Sequence, residues 1–357
     1  MNEIAIEKRH GVRRWAAPLL ALALGGFLLS CAAEAPQAVE PTAAESAAVE
    51  TAGTPLEYQE FETARPGTGY NQRANLVQRG HRVYLKYCVG CHGEYGDGKG
   101  PASRRLITQP RDFTSGIYKF RSTDSGSLPL EEDLYRTITR GLSRVSMPAF
   151  PLMPENEKLA LIEYLKTFYP RWEKEKDDRR VVPIPRAPED LGSAERAVRG
   201  RLVYLGIQCL KCHGTDGRGT GATQQEYVDS WGNPQKAFDF TRGSLKGGNA
   251  PEDIYRTFHT GLRSIMPSFG GDTLAAVTAD TVPGLAEQAG LGDGVATLAP
   301  YLADFPADGD ALFSAMSESE RLALAERNSW DLVAYILSLR TTVNTASAVL
   351  GSPAADG

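Results

Sequence analysis

The sequence predicts a mostly α protein built from two tandem copies of one small helical domain. A series of short motifs recurs in the same order in the two halves, which marks a duplication. Apolar residues recur at helical spacing, and no stretch alternates long enough for a sheet. The length of 357 residues exceeds one small core and suits two domains with appendages.

The repeat is read motif by motif. Arg79-Gly80 with Val83-Tyr84-Leu85 matches Arg199-Gly200 with Val203-Tyr204-Leu205, and Asp112-Phe113-Thr114 returns as Asp239-Phe240-Thr241. Asp133-Leu134-Tyr135-Arg136-Thr137 returns as Asp253-Ile254-Tyr255-Arg256-Thr257. Gly141-Leu142 and Met147-Pro148 return as Gly261-Leu262 and Met266-Pro267, and Tyr164-Leu165 pairs with Tyr335-Ile336. Each match is weak alone; the shared order makes them strong.

Within the first copy, Leu76, Gly80, Val83, Tyr84 and Tyr87 fall on one face of a helix leading into Cys88. A second helix near Leu130 to Arg140 turns Leu134 and Ile138 inward and stops at Gly141. The last begins after Pro154 and buries Leu159, Ile162, Leu165 and Phe168. In the second copy, Asn249 and Pro251 suit a helix cap and first turn.

The expected organisation is a signal peptide over 1–30, an anchor cysteine and disordered tether over 31–70, and a first domain over 71–172. A linker over 173–192 is charged and then proline-rich. A second domain covers 193–341 and a tail 342–357. The second copy carries an insertion over about 270–317 with seven carboxylates and no basic residue. That field suits a basic redox partner; a solvated loop-helix excursion is the plainer alternative.

Composition narrows the function. Hydrophobic content of 41% and charged content of 23% are those of a globular protein, and a net charge of -5 argues against nucleic acid as a partner. Lys8, Arg9, Arg13 and Arg14 precede an apolar run from Ala16 to Leu29, too short for a comfortable membrane span and suited to a secretory signal. The run ends in Leu28-Leu29-Ser30-Cys31, which resembles a bacterial lipobox; the resemblance implies a lipid on Cys31 and attachment to a membrane. Ala32 after it resembles the outer-membrane sorting pattern, so the expected place is the periplasmic side of a membrane.

The other four cysteines form two C-x-x-C pairs, Cys88/Cys91 and Cys209/Cys212, each followed at once by His92 or His213. C-x-x-C-H is the attachment signal for haem c, in which two thiols bond the porphyrin and the next imidazole binds iron. Both sulfurs and the imidazole must reach one flat ring from a single helical turn, which fixes the spacing. A four-thiolate zinc site or a pair of redox dithiols are the alternatives. Zinc would join cysteines from different copies and leave both histidines unexplained.

From Arg73 to Arg340 the sequence resembles the tandem-domain class I c-type cytochromes of bacteria. The resemblance implies two covalent haems c, each held by a few helices. It also implies a Met-Pro loop that gives each iron a thioether; Met147 and Met266 stand in that place. A neutral, soft thioether favours ferrous iron and raises the potential. Core filling is the plain alternative for a methionine, and Met153, His259 and His81 are rival or neighbouring candidates. The family pattern further assigns a Gly-Pro carbonyl to the ligating imidazole. Gly100-Pro101 fits, while the second copy has Gly221-Ala222. Arg111, Tyr118, Lys119 and Arg121 are candidates to neutralise the first haem's propionates.

Six-coordinate His/Met iron has no open position for substrate, so the expected function is electron transfer between a donor and an acceptor protein. The rival is a dihaem enzyme such as a cytochrome c peroxidase, which needs a displaceable distal ligand. Dihaem thiosulfate-oxidising enzymes use a cysteine ligand, and none is spare once Cys31 is lipidated.

Overall fold

In the computed structural model the described residues are 69–106, 108–223, 227–228, 232, 234–263, 266–288, 290 and 298–349. The first copy consists of α1 (Gly69–Tyr87), the one-turn α2 (Val89–His92), α3 (Glu131–Arg140), α4 (Glu155–Thr167) and a short α5 (Trp172–Glu175). The second begins with α6 (Ala194–Gly206), α7 (Leu210–His213) and α8 (Pro251–Thr260). The insertion supplies α9 (Gly271–Ala275), α10 (Thr281–Gln288) and α11 (Gly309–Ala315), and α12 (Glu318–Val349) closes the copy. Among the described residues there is no strand, only the isolated bridges Thr123–Val181 and Val228–Pro234. The mostly α expectation holds.

Each copy is centred on a crossing of its first and last helices, and both crossings use a glycine. A Cβ on Gly80 would lie 2.0 Å from the Ala160 carbonyl oxygen, and one on Gly200 would lie 1.8 Å from that of Asp331. Only a residue without a side chain lets the helix backbones approach so closely. Around the crossings, Val83, Tyr84, Leu161, Ile162 and Leu165 are buried in the first copy, and Leu202, Val203, Leu332 and Val333 in the second. Burying each such aliphatic side chain contributes about 2 kcal/mol. Tyr84 and Tyr204 then each bond backwards, to the Gly93 carbonyl at 2.5 Å and the Gly214 carbonyl at 2.6 Å. This ties the first helix of each copy to the turn after its C-x-x-C-H.

Helix α3 opens at Glu131, and Asp133 in its first turn reaches back to accept the amide of the cap residue Leu130 at 2.9 Å and that of Ser122 at 2.7 Å. It stops at Gly141, whose φ of 64° few other residues tolerate. In the second copy Pro251 takes the first helical position and Gly261 ends α8 at φ 65°. Asn249 is not the cap. Ala250 holds that place, and the Asn249 side chain accepts the Leu245 amide at 2.9 Å.

Several expectations are corrected in detail. Leu159 is 47% exposed, and Leu161 is buried in α4 beside Ile162 and Leu165. Tyr87 is exposed and Leu76 half-buried, so the inner face of α1 narrows to Gly80, Val83 and Tyr84. The linker is folded onto the first copy over its first half. Trp172, at the end of the first domain, is in the core, Val182 bonds the Ser122 carbonyl at 2.9 Å, and Arg179 reaches Pro129 and Glu131. The tail after 341 continues as helix to Val349. The insertion is not a solvated excursion: Leu274, Ala275, Val277, Val282, Ala286, Leu298, Phe305 and Leu312 are buried in the core of the second copy.

The described residues form one unit, and the two copies meet within it. Arg121, only 1% exposed, donates to the Tyr118 and Asp124 carbonyls of its own copy and to the Thr260 and Gly261 carbonyls of the other. It thereby caps the end of α8 across the boundary. Arg140 pairs with Asp253 at 3.1 Å, and Arg263 donates to the Gly126 carbonyl at 2.7 Å.

Candidate functional site

Each C-x-x-C-H occupies one helical turn. The amides of His92 and His213 bond the carbonyls of Cys88 and Cys209, both at 2.9 Å, so two thiols and an imidazole issue from a single turn in each copy. None of the four cysteines is in a disulfide. Burial pushes the Cys88 and Cys209 thiols up to about 12. Among the described residues no three His, Cys, Asp or Glu side chains cluster as a metal site, which leaves the zinc alternative without a site.

The two imidazoles are held alike. His92 Nδ1 donates to the Arg111 carbonyl and His213 Nδ1 to the Phe238 carbonyl, both at 3.0 Å. A carbonyl only accepts, so Nδ1 carries the proton and Nε2 keeps its lone pair for a metal. Burial lowers both histidines below their ordinary value, which keeps them neutral. Phe113 and Phe240 stack on these rings at centroid distances of 4.5 and 4.3 Å.

The carbonyl expected from Gly100-Pro101 is therefore supplied elsewhere. Gly100 instead lies under the attachment turn, its amide bonded to the Cys91 carbonyl at 3.1 Å. Gly221 repeats that contact on Cys212 at the same distance. Arg111 and Phe238 hold matching places in the repeat, one residue before Asp112 and Asp239. A backbone acceptor leaves no mark on residue identity, and the shared position was the only available signal.

The Met-Pro loops are pinned by the same two backbone bonds. Leu142 bonds the Met147 carbonyl and Leu262 the Met266 carbonyl, both at 3.1 Å. Phe150 then bonds Ile138 at 3.0 Å, and Phe269 bonds Phe258 at 2.8 Å. Met147 and Met266 are half-buried. The rivals are engaged otherwise. Met153 sits in the core of the first copy. His259 stacks on Tyr255 at 4.2 Å, and its Nε2 lies 3.0 Å from the Ser329 hydroxyl, which itself donates to Ala325. His81 packs against the Tyr164 ring. Cys31 lies outside the described residues.

The residues present fit a covalently attached haem. Thiols and imidazole share one turn, the imidazole presents Nε2, and the pinned loop presents a soft sulfur. The first copy also holds two buried donors, the Tyr118 hydroxyl and the Trp172 indole N–H, with no acceptor within the chain. Buried donors are rarely left unpaired, and a polar group brought in by a bound cofactor would satisfy them. Of the propionate candidates, Arg121 is instead committed to four carbonyls.

The sequence model of the family described as cytochrome C oxidase, cbb3-type, subunit III matches residues 75–165 and 195–282, once per copy. The chain belongs to the class I c-type cytochromes. This cytochrome is also similar to a solved chain of the Kuenenia stuttgartiensis reducing HAO-like protein complex. The two share 32% sequence identity with a TM-score of 0.54, over 74% of this chain and 96% of that one. Comparison with curated proteins finds no match. Family membership implies covalently bound haem c and makes this a haem electron-transfer cytochrome.

Proposed function

We propose that this cytochrome carries two haems c, attached through Cys88/Cys91 and Cys209/Cys212, and relays electrons between two redox proteins. His92 with Met147 would hold the first iron, and His213 with Met266 the second. The observation that carries the reading is the recurrence, in both copies, of one imidazole clamp and one pinned methionine loop. Bound haem c supplies one-electron iron chemistry. The chain's part is to hold each imidazole by Nδ1 and to fix each methionine on a loop pinned by two backbone bonds. Two protein ligands on each iron would leave no place for a substrate, which favours electron transfer over the peroxidase alternative. Similarity to a chain of a protein complex supports redox proteins as partners.

Stoichiometry tests this reading. The purified protein should hold two haems per chain after acid–acetone extraction, and replacing Cys88 and Cys91 by Ala should leave one. Loss of all haem from the unmodified chain overturns it.

Two further proposals concern place and partner. Lipid on Cys31 holds the chain at the periplasmic side of the outer membrane; among the described residues no helix is long and apolar enough to cross a membrane. Cys31→Ser should release a soluble cytochrome or block processing, and recovery of the wild type entirely in the soluble fraction would refute the anchor. The insertion's exposed Asp272, Asp280, Glu287, Asp304, Asp308 and Asp310 steer a basic partner. Some of these carboxylates also have structural work, since Asp308 caps α11 and Asp280 accepts the Thr278 hydroxyl. Electron transfer to a basic partner should slow with salt, with screening at about 8 Å under physiological conditions. Neutralising Asp304, Asp308 and Asp310 together should flatten that slope; an unchanged slope removes the docking role.

A further inference from the structure

Between the two copies lies a cleft of about 320 Å³. Its lining carries six cationic side chains, Lys119, Arg121, Arg136, Arg140, Lys246 and Arg256, against a single carboxylate, Asp253. Asp133 stands behind Arg136 and pairs with it, and Asp253 is shared between Arg140 and Arg256. Positive charge still outnumbers negative.

The arrangement is built from both copies. Lys119 and Lys246 hold matching places in the repeat, as do Arg136 and Arg256, so the duplication has brought equivalent cations to one shared space. Arg136 and Arg256 are mostly buried, with side chains 22% and 16% exposed. Buried cations with too few counter-charges are costly unless an anion joins them. Arg256 shows the strain directly, because its Nε is buried with no acceptor within the chain. Burial, and then the nearby Arg136 charge, hold the Arg256 guanidinium below its ordinary value.

We propose that this cleft binds carboxylate or oxyanion groups, with Arg136 and Arg256 as its principal donors. A planar guanidinium pairs with two oxygens at once, and two such forks suit a pair of carboxylates or one tetrahedral oxyanion. The cleft also abuts both metal-ligand loops. Leu142 and Leu262 line it, and these residues bond the Met147 and Met266 carbonyls. Carboxylates borne by the bound cofactors are therefore one source of the anion, and that source rests on the two-haem reading. A dissolved oxyanion is the other and is independent of it.

The experiment uses the full holoprotein, with haem content measured on every sample. Wild type, Arg136→Gln, Arg256→Gln and the rim variant Arg140→Gln are titrated with inorganic phosphate in a calorimeter at low salt. Their midpoint potentials are also followed against pH. Arg140 is 57% exposed, so its variant tests the cleft even if a buried change prevents folding.

Saturable phosphate binding, weakened about tenfold by the loss of one charge-assisted contact, assigns the cleft to a dissolved oxyanion. Absence of phosphate binding, with the pH step of the potential raised by about one unit in the variants, assigns it to cofactor carboxylates, because removing a cation raises a neighbouring carboxyl. Folded variants that hold two haems yet bind no phosphate and keep the wild-type pH profile overturn the cleft proposal alone. A chain without covalent haem overturns the two-haem reading, while the phosphate titration still judges the cleft.

Discussion

In the first copy the His92 imidazole hangs from the Arg111 carbonyl, and in the second that of His213 hangs from Phe238. The two distances agree at 3.0 Å although the residues have nothing in common as side chains. The Met-Pro loops are pinned by the same pair of bonds, and the opening tyrosines reach the same turn. Elsewhere the copies part. The first closes its core with Tyr118, Tyr169 and Trp172, whereas the second uses the insertion, with Leu274, Phe305 and Leu312 buried. At the helix crossing the second copy buries Asp331 between Arg196 and Arg199, where the first has Ala160 packed against Gly80. The difference separates two kinds of constraint. Positions that aim a ligand atom tolerate a new side chain but not a new backbone path, and positions that fill volume tolerate almost any solution that excludes water.

The largest effect that would break this comparison is at the crossing glycines. Gly80→Ala and Gly200→Ala should each cost about 3 kcal/mol, since the added carbon meets a backbone carbonyl that cannot move aside. Chemical denaturation checks this. A loss below the noise in either variant would mean that the helices can separate there without penalty.

Next come the ligand loops. Met147→Ala and Met266→Ala should each remove their own part of the weak far-red sulfur-to-iron band and lower one midpoint potential. Persistence of the whole band in the double variant would show that other groups bind the irons.

A smaller effect sharpens the contrast at His259, whose counterpart in the first copy is Thr139. Burial lowers the His259 imidazole to about 4, so the folded state holds it neutral. Unfolded, it takes up a proton near 6.5. The unfolded state therefore binds more protons between these values, and stability falls as pH drops through that window. His259→Gln should flatten the acid limb of the melting profile for the second copy. An identical slope in the variant would remove His259 as its source.

Much of the fold was legible because its signals live in side chains. Gly80 and Gly200, the helix stops at Gly141 and Gly261, and the inward Leu134 and Ile138 all stand where periodicity and turn chemistry put them. The order of motifs announced the duplication, and the family match covers both copies. What was not legible depended on three-dimensional backbone or on neighbours distant in sequence. The clamping carbonyls carry no residue code, so Gly100-Pro101 was expected where Arg111 serves. Leu159 and Leu161 are equally apolar, and only the packing shows that the buried stripe of α4 runs through Lys158, Leu161, Ile162 and Leu165. In the insertion the carboxylates dominated the reading. Its buried residues are spread over three helices of eight residues or fewer and the turns between them, so no periodic stripe could show.

Arg121 gives the duplication a direction in time. Two freshly duplicated copies are interchangeable, and either can be lost without harm to the other. An arginine in one copy that completes a helix end in the other removes that freedom, because discarding the first copy would strip the Thr260 and Gly261 carbonyls of their partner. No reciprocal tie is available at the matching position, where Gly248 has no side chain to offer. The dependence at this point thus runs one way, from the second copy to the first.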